Sequence, residues 1–304
     1  MKIQSISIDV PINGKCLNKC KFCVSRMHDS PYQNRICQSS LMDDDENIDY
    51  KVDYKKRLHW AKENGINTVI LTGTAEPIQN KVFLQWFSDI NKEFKFDWIE
   101  LQTSGNLLLN KDTSGNYYNL NFLKMIGVST ISLSISDLFN SKNNGDIIDM
   151  PIKHRFFIGE LCKVIKDNNF NLRLSLNMSD VYNKFTFNDI FTKAKELNAD
   201  QITFRKLFSN ENGTTPQDIW INEHQYSNNK FNLLTEYIKS NGVLLGILPF
   251  GAKKYSVEDI SIVIDDNCLD DVNQRAELDT YKYIILRPNC KLYTSWVYKS
   301  SLVF

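Results

Sequence analysis

The sequence predicts an α/β protein whose parallel sheet curls into a barrel or most of one. Strand-like runs in which apolar and polar residues alternate recur along the chain, and helical stretches separate the first seven of them. This order of elements is typical of right-handed βαβ units. The chain has 304 residues, of which 42% are hydrophobic, and that is enough to bury a sizeable core.

The strands and helices are expected to alternate along most of the chain. The predicted strands are Ser5–Ile12, Ile66–Gly73, Asp97–Ser104, Ser129–Ser136, Asn171–Met178, Gln201–Phe208 and Val243–Gly251. The predicted helices between them are Tyr50–Asn64, Lys81–Phe94, Asn119–Ile126, Lys153–Asn168, Phe187–Leu197 and Glu223–Ser240. Several of these helices end at an Asn-Gly or Asn-Asn pair, where a residue in the left-handed conformation can stop a helix.

The C-terminal part of the chain has a different pattern. Its three strand-like runs, Asp259–Asp265, Tyr281–Pro288 and Lys291–Tyr298, follow one another without helices. Such runs favour an antiparallel hairpin or a small sheet. We therefore predict two domains, a barrel core over residues 1–251 and a β-rich cap over residues 252–304.

One face of the predicted parallel strands is polar. In Ser129–Ser136, apolar residues at positions 131, 133 and 135 alternate with serines, and three other strands repeat this pattern. Parallel strands that helices cover on both sides are apolar on both faces, and a packed barrel interior is apolar as well. The pattern therefore predicts a wide barrel around a wet cavity. An amphipathic sheet with one solvated side is the alternative.

The charge balance and the apolar pattern exclude several classes of protein. The 36 basic and 36 acidic side chains cancel, so neither an extended nucleic-acid surface nor attraction to an acidic membrane is expected. The sequence contains no run of about 18 apolar residues, so no transmembrane helix is predicted. The first residues alternate like a strand and lack the apolar run of a signal peptide. We expect a cytoplasmic protein, in which cysteines serve metals or catalysis more often than disulfides.

Three closely spaced cysteines follow the first predicted strand. Cys16, Cys20 and Cys23 lie on a loop that is free to wrap a metal, and they can reach three corners of one cubane cluster. The local sequence supplies no fourth cysteine, as a ferredoxin would. An open position on the fourth iron could bind another molecule. A structural zinc site is the alternative, with His28 as its fourth ligand.

These residues resemble the radical S-adenosylmethionine (SAM) superfamily. Its hallmark is C-x3-C-x2-C after the first strand, with an aromatic residue (here Phe22) before the third cysteine, and the resemblance covers roughly residues 5–250. It implies a partial (βα)6 barrel of the radical SAM type with a C-terminal β-hairpin extension. It also implies that Cys16, Cys20 and Cys23 hold a [4Fe–4S] cluster whose fourth iron is chelated by SAM. Reduction then cleaves SAM, and a 5′-deoxyadenosyl radical takes hydrogen from a substrate.

Further cofactor-binding residues are implied by the same resemblance. The segment from Thr72 to Pro77 is similar to the family's Gly-Gly-Glu segment, which binds the methionyl amine, although Thr74 replaces the second glycine and Ala75 is an insertion. An ordinary Gly/Pro turn is the alternative. The implied cofactor-binding residues, most of them at the carboxyl ends of strands, are Phe22, Gly73, Thr74, Glu76, Thr103, Ser104, Ser134, Ser136, Asn177 and Arg205. Each could instead simply line the lumen.

The substrate site is expected in the lumen and under the C-terminal cap. Arg173 and Arg205 could receive an anionic group, while Glu100 and Asp9 are simpler partners for them. The candidate catalytic or substrate-contacting residues are Glu100, Gln102, Arg173, Tyr293 and Trp296. Ordinary packing of the two aromatic residues is the alternative.

The other cysteines predict no second cluster. The segment 287–296 resembles the hairpin that opens auxiliary-cluster domains in peptide-modifying relatives, but only Cys268 and Cys290 are available to it. Cys37, Cys268 or Cys290 could donate a hydrogen atom to a product radical, or be structural thiols. Cys162 lies among apolar residues and is expected in the core.

The sequence therefore predicts a radical SAM enzyme that acts on a small-molecule or nucleotide substrate, and this substrate could be anionic. An electron donor such as flavodoxin or ferredoxin is the expected protein partner. One alternative is modification of a peptide or protein by a maturase or glycyl-radical activase. A non-enzymatic metal-binding redox or zinc module is the other.

Overall fold

A computed structural model describes residues 2–12, 15–27, 48–210, 212–248, 251–265, 280–296 and 298–303. The predictions for His28, Cys37 and Cys268 lie outside these ranges. The strands are β1 (Lys2–Asp9), β2 (Thr68–Thr72), β3 (Trp98–Thr103), β4 (Thr130–Ile135), β5 (Asn171–Met178), β6 (Gln201–Lys206), β7 (Val243–Ile247), β8 (Lys253–Val257), β9 (Ile260–Asp265), β10 (Thr280–Leu286) and β11 (Leu292–Tyr293). The α-helices are α1 (Ile48–Glu63), α2 (Lys81–Phe94), α3 (Tyr118–Met125), α4 (Ser141–Ile148), α5 (Ile158–Asp167), α6 (Phe187–Glu196), α7 (Pro216–Glu223) and α8 (Asn228–Asn241).

All the described strands belong to one sheet, in the order β11-β10-β1-β2-β3-β4-β5-β6-β9-β8-β7. Strands β1 to β6 lie side by side in chain order, and each neighbouring pair is parallel. The predicted α/β class with a mostly parallel sheet is therefore confirmed. Among the strands that the structure describes, no pairing joins β7 to β11, so closure of a barrel is not shown.

The predicted antiparallel pairing of the C-terminal strands is found for β8 with β9 and for β10 with β11, but these strands belong to the main sheet rather than to a hairpin or small sheet of their own. β10 pairs antiparallel with the short β11, but its other neighbour is β1, to which it is parallel. β9 is likewise parallel to β6. Local sequence shows that these runs are strands, but it cannot show which distant strand each one joins. The predicted boundary at residue 251 stays a prediction about domains, although the strands on its two sides form one sheet.

The seventh predicted strand does not follow β6 in the sheet. β7 lies at the outer edge and pairs antiparallel with β8, a strand that the sequence pattern missed. Glu258 and Asp259 connect β8 to β9 with φ of 50° and 66°. Positive φ at both central residues is the signature of a type I′ hairpin turn, which has the right twist for two neighbouring strands. Glutamate gives little sequence signal for such a turn, so the hairpin was not predicted.

Four of the helices differ from the predicted ones. α4 and α7 were not predicted, although each has a side-chain cap, from Asn140 and Thr215. α5 begins at Ile158 rather than near residue 153, because the backbone is extended at Arg155 and Phe157. α8 begins after Ser227, whose side chain accepts a hydrogen bond from the backbone of the third helical residue. Caps and extended residues, rather than apolar spacing, determine these helix ends.

The parallel strands β1 to β6 have one apolar and one polar face, as predicted, and several residues of the polar face are buried. Apolar side chains of the strands, such as Leu133, join Leu161 and Cys162 of α5 in a single core. On the alternate positions, Ser132 and Ser175 are also buried. Cys162 therefore lies in the core as expected. No helix within the described ranges is long and apolar enough to span a membrane.

We predict that Gly105→Ala destabilises the protein by about 2–4 kcal/mol, because left-handed backbone and overpacking both cost free energy. Gly105 has φ of +84°, and a Cβ there would lie 2.6 Å from Leu161 and 2.7 Å from Leu133. Gly115 has φ of +82° but open space around it, so Gly115→Ala should cost only about 1–2 kcal/mol. Urea unfolding of the metal-free protein measures both, and equal losses would contradict the packing argument.

Candidate functional site

The residues predicted to bind the cofactor gather at one edge of the sheet. Because β1 to β6 are parallel, their carboxyl ends meet there, and ligands of α/β proteins bind at this edge. The cysteine loop, residues 15–27, follows β1. The 73–76 segment follows β2, and Ser104 follows β3 directly.

The cysteine loop is anchored by a buried asparagine. Asn18 Nδ2 donates to Ser104 Oγ at 2.7 Å, and Asn18 Oδ1 accepts from Asn106 Nδ2 at 3.0 Å. Both asparagines are buried. One residue earlier, the backbone N–H of Leu17 donates to Gln79 Oε1 at 2.9 Å. Side chains that follow β2 and β3 therefore fix the first half of the loop.

The second half of the loop is held through its backbone. The N–H of Lys21 donates to the carbonyl of Ile147 at 3.1 Å, and so satisfies a carbonyl at the end of α4. Arg26 Nη2 donates to the carbonyl of Asn18 at 3.2 Å, which draws the two ends of the loop together. The Phe22 ring lies 6.2 Å from the ring of Trp220 in α7. Sequence analysis missed Asn18, Asn106 and Trp220; a buried asparagine gives no pattern of its own.

The three predicted cluster ligands are free thiols and partly exposed. Burial raises the pKa of Cys16 and of Cys20, and the neighbouring Cys23 and Cys16 raise the pKa of Cys20 further. The thiol form is therefore favoured in the protein alone, and binding as three thiolates would need a cation to compensate their charges, as the iron of a cluster does. Within the described ranges, no group of three Cys, His, Asp or Glu side chains is already arranged around a metal position. The cluster ligation stays a prediction.

Ser25 connects Cys23 to the segment after β2. Cys23 Sγ lies 3.0 Å from Ser25 Oγ, and Ser25 Oγ donates to the carbonyl of Thr74 at 3.0 Å. The N–H of Thr74 donates to Asp9 Oδ1 at 3.1 Å. Gly73 precedes it with φ of +151°, and a Cβ there would lie 2.6 Å from the same carboxylate oxygen. A glycine is thus required for Asp9 to approach.

Glu76 is buried and bound to the end of β3. Its Oε1 accepts from Thr103 Oγ1 at 2.6 Å, and its Oε2 accepts from the Ser104 N–H and Oγ at 2.9 and 2.7 Å. Burial raises the pKa of Glu76, and these hydrogen bonds oppose that effect. The structure thus brings three predicted cofactor residues together, with Glu76 joining β2 to β3. Its predicted contact with the methionyl amine is additional to these bonds and stays a prediction.

A second polar patch crosses β4 to β6. Asn177 Nδ2 lies 3.0 Å from Ser134 Oγ and 3.3 Å from Ser136 Oγ, to which it donates. Arg205 is opposite Asn177 in the strand register. Buried Asn144 accepts from the N–H of Ser136 at 2.7 Å, a contact that sequence analysis missed. The structure therefore groups these four predicted cofactor residues on neighbouring strands.

The predicted substrate residues of the lumen form a connected network. Arg173 Nη1 is paired with Glu100 Oε2, and Gln102 Nε2 donates to Glu100 Oε1 at 3.2 Å. Gln102 Oε1 accepts from Thr72 Oγ1 at 3.1 Å. The simpler partner for Arg173 is thus the one found, and its charge is compensated within the protein.

A buried ion pair lies beside this network. Arg287 Nη1 and Asp9 Oδ2 are 2.9 Å apart, and their side chains are 3% and 2% exposed. Arg287 Nη2 donates to the Trp296 carbonyl at 2.6 Å, and the Trp296 ring lies 4.5 Å from the guanidinium.

Tyr293 is buried and its hydroxyl accepts from Asn289 at 2.9 Å. Burial raises the pKa of Cys290 to about 12. Substrate contacts of Tyr293 and Trp296 stay predictions; Arg287 was missed.

Comparisons with known proteins support the fold. No protein-family model matches the chain, and no curated protein does. Coproporphyrinogen III oxidase (HemN) from Escherichia coli, a radical SAM enzyme, matches with 15% identity and a TM-score of 0.50 over 81% of this chain and 54% of that one. A xylose isomerase-like TIM barrel/4-hydroxyphenylpyruvate dioxygenase fusion protein matches with 8% identity and a TM-score of 0.29 over 88% and 56%; this match carries no argument. The chain spans about half the length of either. Its fold is similar to that of a radical SAM enzyme.

We predict that Glu76→Ala destabilises the metal-free protein by about 2–4 kcal/mol, because it leaves buried donors of Thr103 and Ser104 unpaired. The matched control is Glu63→Ala. Glu63 is exposed and lies 3.4 Å from His59, so its removal should change stability by less than about 0.5 kcal/mol. Chemical denaturation measures both, and a Glu76→Ala protein as stable as the control would contradict the buried network.

Proposed function

We propose that this chain is a radical SAM enzyme that acts on a small-molecule or nucleotide substrate. The observation that carries the proposal is the anchoring of the cysteine loop. Buried Asn18 and Ser104, together with Gln79, hold a loop with three free thiols at the carboxyl edge of a parallel sheet. The fold is similar to that of a radical SAM enzyme.

The residues of the loop would hold a [4Fe–4S] cluster through Cys16, Cys20 and Cys23. When bound, the cluster and SAM supply one-electron reductive cleavage of the sulfonium, which gives a 5′-deoxyadenosyl radical for hydrogen abstraction. The residues of the chain would position the cluster and SAM. The Thr74 carbonyl and the Glu76 carboxylate would bind the methionyl end of SAM, and Ser134 and Asn177 would contact its ribose.

The lumen network provides the proposed substrate contacts. Glu100, Gln102 and Arg173 lie on the polar face of β3 and β5, toward the amino ends of the strands from Ser104 and Asn177. Their mutual hydrogen bonds hold each side chain in one orientation. Such a preorganised polar surface suits a substrate with several hydrogen-bonding groups, as a nucleotide has. Because Glu100 compensates Arg173, an anionic group would have to compete with that carboxylate.

We predict that Cys20→Ala, in protein purified and reconstituted without oxygen, lowers iron and sulfide to background and abolishes formation of 5′-deoxyadenosine from SAM and dithionite. Cys20 is one of the three proposed ligands. Cys162→Ala is the matched control, since Cys162 is a buried core thiol. Iron and sulfide assays and mass spectrometry measure the outcome. A Cys20→Ala protein with a normal cluster spectrum and turnover would rule out the proposal, and bound zinc would favour a metal-binding module.

We propose further that an acidic electron carrier such as flavodoxin or ferredoxin docks on the cysteine loop. Lys15, Lys19 and Lys21 are exposed there, and no acidic residue occurs between Val10 and Met27. The whole chain has no net charge, so this positive charge is local. Complementary charge raises association rates and orients the encounter.

We predict that Lys19→Glu with Lys21→Glu lowers flavodoxin-driven 5′-deoxyadenosine formation about tenfold at low salt, while the dithionite-driven rate is unchanged. Lys124→Glu with Lys163→Glu changes the net charge equally on helices α3 and α5, outside the cysteine loop, and should have little effect. Equal losses with both reductants, or equal losses in both double variants, would contradict docking at this surface.

A further inference from the structure

A continuous series of polar contacts runs from the C-terminal segment to Cys23. It starts at Trp296 and Arg287, which follow β10, and it passes through Asp9 at the end of β1. It then crosses Thr74 and ends at Ser25, beside Cys23. Arg287 and Asp9 are 278 positions apart in the chain, so only the tertiary structure brings them together.

The first part of the series holds Asp9 in one orientation. Arg287 uses two nitrogens, one for Asp9 and one for the Trp296 carbonyl, while the Trp296 ring covers the guanidinium plane. A planar guanidinium can do this, whereas an ammonium group is a point charge without the fork. Buried ion pairs are weak evidence for stability, since apolar residues of similar volume often serve as well. The pair is therefore better explained by the position it gives to Asp9.

The second part of the series fixes a single residue from both sides. The Thr74 N–H is held by Asp9 Oδ1, and the Thr74 carbonyl by Ser25 Oγ. Ser25 Oγ also lies 3.0 Å from Cys23 Sγ. A shift of Thr74 would therefore move the hydroxyl that contacts the Cys23 sulfur. Cys16 has different neighbours, the backbone N–H groups of Asn18 and Glu76. The series therefore ends at Cys23 and not at Cys16.

We propose that Arg287 is a positioning residue that sets the placement of Cys23 through Asp9, Thr74 and Ser25. The C-terminal segment thereby takes part in organising the cysteine loop. In an enzyme that carries a cluster, Arg287 would position the third ligand, and this last step rests on the proposed function. The positioning itself is a property of the chain without metal and can be tested there.

The test is the rate at which iodoacetamide alkylates each cysteine of the full-length, metal-free protein at fixed pH, read by peptide mass spectrometry. Arg287→Lys keeps the positive charge but lacks the planar guanidinium that reaches both Asp9 and the Trp296 carbonyl. Ser25→Ala removes the hydroxyl that contacts Cys23 and Thr74, at a partly exposed position. Each should raise alkylation of Cys23 about fivefold, because a loop that is held less firmly exposes this partly exposed thiol further, without global unfolding. Cys16 should change less than about twofold.

The controls separate positioning from a loss of fold. Ser25→Thr keeps a hydroxyl and should restore the slow rate at Cys23. Because both residues act in one series, the double variant should be no faster than the faster single variant. Cys162 is buried in the core and reports unfolding. Equal acceleration at Cys16, Cys23 and Cys162, additive effects, or no change would overturn the proposal. Absence of SAM cleavage would overturn only the proposed function.

Discussion

The buried polar groups near the ends of the strands need hydrogen-bond partners, and most of the site follows from that constraint. A buried polar group without a partner costs more free energy than a hydrogen bond returns. Glu76 is therefore hydrogen-bonded to Ser104 at the end of β3, and Asn177 is hydrogen-bonded to Ser134 and Ser136 at the carboxyl end of β4. Arg173 and Arg287 each meet a carboxylate. Most of these contacts join neighbouring strands, and the Arg173–Glu100 pair crosses β4 to join β5 to β3, so satisfying the polar groups also holds the strands relative to one another.

The cysteine loop depends on the same contacts. Asn18 reaches Ser104, which is already bonded to Glu76, and Ser25 reaches Thr74, which Asp9 holds. The loop is thus tied to two strand ends before any metal binds. A buried hydrogen-bond network of this kind costs the most free energy when only some of its polar groups have partners, so loss of one member is expected to disturb the others. The loop is thus organised by the protein alone, and a metal-binding role of its thiols stays a proposal.

Sequence pattern predicted the parts of the fold that depend on local alternation. The strands β1 to β6 and helices α2, α3 and α6 lie within a few residues of their predicted positions. The pattern failed where a single residue decides the conformation. Asn140 and Thr215 start helices that apolar spacing does not reveal, and Glu258 takes a left-handed conformation that glutamate rarely adopts. It also failed for strand pairing at the edges, since register with a distant strand leaves no local trace.

The sequence by itself determined the α/β class and the polar face of the strands, because both follow from residue type and spacing, and its resemblance to a known family implied most of the candidate site residues. Only the tertiary structure decided which of those residues are partners. Glu100 could have met either arginine, but the register of β3, β4 and β5 places it within reach of Arg173. Asp9 meets Arg287 because β10 lies next to β1. Contacts between residues far apart in the chain are settled by packing of the whole sheet, and no local pattern records them.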